Sequence, residues 1–108
     1  MRRGDFVTVA MQGDFGKPRP ALVVQSDKFN DTHATLTVLL VSSELVDAPL
    51  FRITVQPDEH NHLQKPSQIL VDKAMTIKRD KLGAAFGSAN DDVMLAVNRS
   101  LAVFLGMA

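Results

Sequence analysis

A mainly β domain closed by one C-terminal helix is the fold predicted for this chain, on three observations. Runs rich in Val, Leu, Ile and Thr recur between turn-forming residues from Asp5 to Ile77. Near the end, Val93, Val97, Leu101 and Phe104 recur on one helical stripe, which Met94 and Leu105 widen. Between the first two strands stands Gly16-Lys17-Pro18-Arg19-Pro20, a stiff loop that runs straight into apolar Ala21-Leu22-Val23-Val24. Each proline fixes φ near −65° and pushes the preceding residue into extended geometry, so Arg19 is held in place at the mouth of a strand. An arginine so held suits a phosphate or a carboxylate; on local physics alone a solvated charge on a stiff loop is the commoner case.

Residues 5–11 read as the first strand, entered through Arg2-Arg3-Gly4. Residues 12–18 carry two glycines, an aspartate and a proline, the makings of a loop. Residues 20–26 form a second strand, apolar on both faces and therefore central. Residues 27–33, with Asn30-Asp31 at the tip, read as a turn, and residues 34–41 as a third strand ending on Ser42-Ser43-Glu44. Strands apolar on both faces need two covers, so one face packs on a helix and the other closes a barrel or meets a partner. After Asp47-Ala48-Pro49 comes a short strand at 50–55, then a long polar loop at 56–66. Strand character resumes at 67–71, is interrupted by Asp72-Lys73 and returns at 74–77. Residues 79–82 read as one helical turn closed by Gly83. The helix covers 88–105, with Ser88 or Asn90 as cap, Asp91 and Asp92 in the first turn and Gly106 as its stop.

With 108 residues the chain reads as one domain, spanning 1–108. It contains no cysteine, which excludes disulfides and thiolate metal sites. No apolar run approaches the roughly 20 residues that span a membrane. The start passes directly into strand pattern without a leader's apolar segment, so a cytoplasmic location is expected. Formal net charge is zero, so a nucleic-acid partner would be held by a local patch. Tyr and Trp are absent, which leaves Phe and His to stack on bases. Arg3-Gly4-Asp5 reads as a turn rather than an adhesion motif. His60 and His62 could clip a metal only with help from Asp58 or Glu59, and a titrating surface loop is the simpler reading. No metal site and no cofactor are therefore expected. Asp72, an acid between apolar neighbours, caps a turn or serves a site.

Taken together, Arg3-Gly4-Asp5 leading into a strand, Arg19-Pro20-Ala21-Leu22-Val23-Val24, Ser42-Ser43, Val71-Asp72-Lys73 before Thr76-Ile77, and the helix ending at Leu105-Gly106 resemble the MazF/PemK (Kid) toxins of toxin–antitoxin systems. The resemblance covers nearly the whole chain in the right order. It implies a small SH3-like antiparallel β-barrel with a C-terminal helix, assembled as a homodimer. It implies metal-independent, sequence-selective cleavage of single-stranded RNA by attack of the ribose 2′-OH on the adjacent phosphorus. It also implies inhibition by an antitoxin whose acidic, flexible tail occupies the RNA groove. Arg19 then matches the residue that meets the developing charge, Ser42 the strand-end hydroxyl where threonine is usual, and Asp72 the acidic member. Gln12, Asp14, Phe15, Lys17, Ser43 and Lys73 fall where RNA would be bound, Ser43 being the alternative hydroxyl if the register slips by one.

Two departures stand out. The Kid-like branch has an arginine two residues before Asp72, where this chain has Leu70, and a histidine in the first loop, which here is short and has none. Lys17, or Asp14 as a base, is the available replacement. These departures leave room for a non-catalytic binding module of the same fold. A gyrase poison of the related CcdB type is disfavoured, because the chain ends Leu105-Gly106-Met107-Ala108 and lacks tryptophan.

Overall fold

The computed structural model describes residues 1–10 and 17–108. In chain order the elements are β1 (Asp5–Ala10), β2 (Pro18–Val23), a one-turn helix α1 (Asp27–Asn30), β3 (Thr35–Ser42), β4 (Arg52–Val55), β5 (Ser67–Lys78), a 3-10 turn at Arg79–Lys81, β6 (Leu82–Ser88) and helix α2 (Asp91–Phe104). All six strands pair antiparallel in one sheet of order β4-β5-β3-β2-β1-β6.

Connectivity makes this sheet curl. β5 and β6 follow each other through the turn Arg79–Lys81 alone, a link reaching about 14 Å even when extended. Their places in the strand order would put them about 19 Å apart in a flat sheet. The sheet therefore bends until its far half of β5 and β6 draw together. The expected barrel is thus a strongly curled sheet that keeps two edges, β4 and β6.

Strand alternation fills two cores on opposite sides of the sheet. Phe6, Leu22, Leu39, Val41, Ile69 and Val71 face one side, where Val97 of α2 seals them and Val93 and Leu101 pack alongside. Val7, Val9, Ala21, Val23, Leu36 and Val38 face the other, inside the curl, against Met75, Ile77 and Leu82. This is how β2 and β3 come to be apolar on both faces.

Helix α2 is bounded by local chemistry. Asn90 Oδ1 accepts from the Val93 N–H at 2.8 Å. At the far end Gly106 takes φ +76°, Met107 N–H donates to the Ala102 carbonyl at 2.7 Å and Gly106 N–H to Val103 at 3.1 Å, which satisfies the last carbonyls. Arg3 ties the helix to the sheet, donating to the Val24 carbonyl and to Asn98 Oδ1.

Three elements differ from the sequence reading. Residues 27–30 form a helical turn, capped by Ser26 through its hydroxyl. Asp72-Lys73 does not break the strand; β5 runs through twelve residues and carries a bulge there, so that on the β3 side residues 70–73 face Leu40 alone. β6 follows the predicted turn as a full strand. Its Leu-Gly-Ala-Ala-Phe-Gly-Ser sequence shows almost no alternation, because it lies at an edge and half of it faces solvent.

Candidate functional site

Arg19 sits on β2, opposite Val9 of β1, and is exposed. The β2–β3 register pairs Ala21 with Leu40, and carrying it two residues further sets Arg19 level with Ser42. Ser42, the last residue of β3, pairs with Gln68 of β5, and Gln68 pairs with Thr54 of β4. Cross-strand partners project on the same face. Ser42, Gln68 and Thr54 therefore form one row across β3, β5 and β4, and the β2–β3 register, carried past its last pair, brings Arg19 in line with it. Alternation puts Arg19 on the side of Ala21 and Val23, and Ser42 on the side of Val38 and Leu40, which is the same side.

Gln68 is the buried centre of this row. Its Oε1 accepts from the Val46 N–H at 3.0 Å and from Arg52 Nη1 at 3.0 Å. Its Nε2 donates to the Val46 carbonyl at 3.0 Å and to Thr54 Oγ1 at 3.1 Å. Ser42 Oγ accepts from the Glu44 N–H at 3.1 Å, and the Glu44 carbonyl accepts from Arg52 Nη1 at 3.1 Å. The segment after β3 is thereby fixed to the row. Reading the sequence missed Gln68 and Arg52. Their signal was weak, since a polar residue near the start of a strand is common at a solvent-facing position.

Asp72 lies in the β5 bulge, opposite Leu40 and so two residues along β3 from Ser42. Its carboxylate is partly buried, with Lys73 Nζ 3.5 Å away. Leu70, where the resemblance would place an arginine, is buried and pairs with Arg52 of β4. Lys17 is exposed just before β2. Gln12, Asp14 and Phe15 lie outside the described residues.

Ser43 goes elsewhere. It lines a cleft of about 560 Å³ on the opposite face, with Pro18, Pro20, His62 and Phe86. Alternation along β2 and β3 thus separates Ser43 from Arg19 and groups Ser42 with it. His60 is close to Glu59, and His62 Nδ1 contacts the Phe86 carbonyl. No three His, Asp or Glu side chains converge as a metal cluster among the described residues. Two carboxylates are held below the usual carboxylate range, neither of them in this row. Asp58 accepts from the Asn61 and His60 N–H groups. Asp27 accepts from the Arg3 N–H and from Asn30, with Arg2 and Arg3 nearby.

The comparisons with known proteins fall on this same architecture. A probable endoribonuclease MazF from Mycolicibacterium smegmatis is 40% identical over 109 residues, covering 100% of this chain and 99% of that protein. An endoribonuclease solved in complex with its cognate antitoxin, from a mycobacterial species, superposes with a TM-score of 0.84 at 20% identity, covering 100% of this chain and 97% of that one. A MazE–MazF complex from Deinococcus radiodurans gives a TM-score of 0.80 at 26% identity, covering 99% and 97% of the two chains. Residues 2–105 match the profile of the PemK-like, MazF-like toxins of type II toxin–antitoxin systems. On that match and on the full-length relative, the chain belongs to the PemK-like, MazF-like toxin family of type II toxin–antitoxin systems.

Proposed function

We propose that this toxin is an endoribonuclease that cuts single-stranded RNA at selected sequences, with Arg19, Ser42 and Asp72 as its reacting set. The observation that carries the reading is the row: the β2–β3 register, carried past its last pair, sets Arg19 level with the Ser42 hydroxyl on one face of adjacent strands, and Asp72 lies in the bulge opposite Leu40, two residues along β3 from Ser42. The substrate's 2′-oxygen attacks the neighbouring phosphorus and its proton passes to Asp72. The P–O5′ bond breaks, leaving a cyclic phosphate and a 5′-hydroxyl whose proton comes from solvent. Arg19 stays charged throughout, because a guanidinium does not deprotonate in proteins. It binds the non-bridging oxygens as negative charge builds and hydrogen-bonds the departing oxygen. A serine hydroxyl is a poor base at neutral pH, so Ser42 hydrogen-bonds the phosphate. Lys17, Lys73 and Ser43 are further RNA contacts, as are Gln12, Asp14 and Phe15, which lie outside the described residues.

The chain acts as a single toxin domain over residues 1–108 and in the cytoplasm; no helix among the described residues is long and apolar enough to cross a membrane. An antitoxin with an acidic tail occupies the groove, a reading supported by the neighbours solved with their antitoxins. The chain pairs with a second copy. Leu50, Val103, Leu105 and Met107 support this, being apolar and more than half exposed. Ser100 Oγ donates to the Leu50 carbonyl at 2.6 Å, which brings the 45–51 segment against α2. Incubating the purified chain with a long single-stranded RNA and mapping new 5′ ends tests the reading. Discrete cuts at a recurring sequence support it, and intact RNA across several unrelated transcripts contradicts it.

A further inference from the structure

We infer that Arg52 supplies a second fixed cation to the RNA site, gripping the phosphate of a nucleotide next to the scissile one, an assignment that rests on the endoribonuclease reading above. The row ends at β4, where Arg52 and Thr54 share the face of Gln68 and Ser42. Glu44 binds both ends of the segment in between: its N–H donates to Ser42 Oγ and its carbonyl accepts from Arg52. Those two contacts keep the Ser42 hydroxyl and the Arg52 guanidinium within about 10 Å of each other.

Arg52 is held by one nitrogen only. Nη1 makes both hydrogen bonds, to Glu44 and to Gln68. Nε and Nη2 have no hydrogen bond among the described residues, and together they form the edge that takes an anion bidentately. No carboxylate among the described residues pairs with this guanidinium, although Asp47 shares its hollow. A surface arginine with no task would be mobile and solvated. This one is oriented by a buried carboxamide that has no remaining hydrogen-bonding capacity of its own.

Beside it lies a hollow of about 280 Å³, bordered by Val46, Asp47, Pro49, Arg52, Thr54 and Gln68. That volume is close to the lower bound of roughly 300 Å³ typical of small-ligand sites. The hollow is continuous with the row through Gln68, so a strand of RNA laid over Ser42 reaches it within one nucleotide.

The test uses an oligoribonucleotide carrying the mapped cleavage sequence, 2′-O-methylated at the reacting ribose so that it binds without being cut. Affinity is measured from low to moderate salt for the wild-type chain, Arg52→Gln and Arg52→Lys. Gln keeps an amide donor toward Glu44 and Gln68 without the charge, and Lys keeps the charge. Loss of one phosphate contact makes the plot of log affinity against log salt shallower by about 0.7. We expect that change for Arg52→Gln, with roughly tenfold weaker binding at low salt, and a wild-type slope for Arg52→Lys. An unchanged slope in a folded Arg52→Gln protein overturns the assignment while leaving the nuclease intact. Absence of cleavage by the wild-type chain on unmodified RNA overturns the nuclease, and this assignment with it.

Discussion

Ser42 and Gln68 face each other across β3 and β5, and the carboxamide of Gln68 is fully engaged by Val46, Arg52 and Thr54. One buried amide therefore positions the end of β3, the segment after it and the arginine of β4. Replacing Gln68 by Leu keeps the volume and strands its partners. Each buried polar group left unpaired costs about 1–3 kcal/mol. The expected outcome is a destabilisation of that order in a urea titration. RNA binding should fall further than stability alone explains, because Arg52 loses its anchor. A variant as stable as the wild type would show that Gln68 is not the anchor described.

A second prediction concerns the contact between the 56–66 loop and β6. Gly87 lies against the Asn61 and His60 carbonyls, so that a Cβ would collide with backbone. Asn61 is almost fully buried, and its side chain receives the Asp58 and Leu63 N–H groups and donates to the Gln56 carbonyl. Neither side can yield cheaply. Gly87→Ala should therefore destabilise the fold by about 1–3 kcal/mol, the usual cost of overpacking. Thermal melts of the variant against wild type check this, and an unchanged midpoint would contradict it.

Acid sensitivity follows from Asp27. The Arg3 N–H, then the Asn30 side chain, hold its carboxyl below the usual carboxylate range, with Arg2 and Arg3 adding to the effect. A group whose pKa falls on folding favours the folded state when ionised. Its contribution is whole above the pKa of the unfolded chain and disappears as pH drops through the lower folded value. Asp27→Asn should therefore be less stable than wild type at pH 6, and the gap should narrow as pH falls below the usual carboxylate range. Melts at stepped pH values read this directly. A gap that widens in acid would reverse the assigned sign.

Asp72 carries a functional prediction. General acid–base groups contribute about 10²–10⁴-fold to rate. Asp72→Asn preserves shape while removing the proton acceptor, so cleavage should slow by that range with the fold retained. Cleavage at the wild-type rate would reduce Asp72 to its Lys73 ion pair.

Much of this architecture was legible beforehand, for reasons specific to each element. The stripe Val93, Val97, Leu101 marked α2 because its cap and its terminal glycine agreed with the periodicity. The apolar runs of β2 and β3 were readable since both faces are buried. β6 was not, because an edge strand with two glycines has no face that must be apolar throughout. Arg19 stood out through its flanking prolines, and Ser42, with Ser43 as its alternative, through the family resemblance. Gln68 and Arg52 could not be linked from the sequence, since what joins them is the pairing of β4 with β5 and the β3–β5 register beside it. The Ser42–Ser43 ambiguity was likewise a matter of register, and a one-residue shift exchanges the two faces of a strand.

The most direct measurement sets wild type against Arg19→Ala on the same long single-stranded RNA in excess EDTA, mapping 5′ ends and product chemistry. Arg19 lies on an exposed strand end, so the variant should melt like the wild type. The account predicts discrete wild-type cuts with 5′-hydroxyl and cyclic-phosphate ends, unaffected by the chelator and lost in the variant by about 10²-fold or more. Cutting by Arg19→Ala at the wild-type rate, or wild-type cutting that needs an added divalent ion, would contradict it.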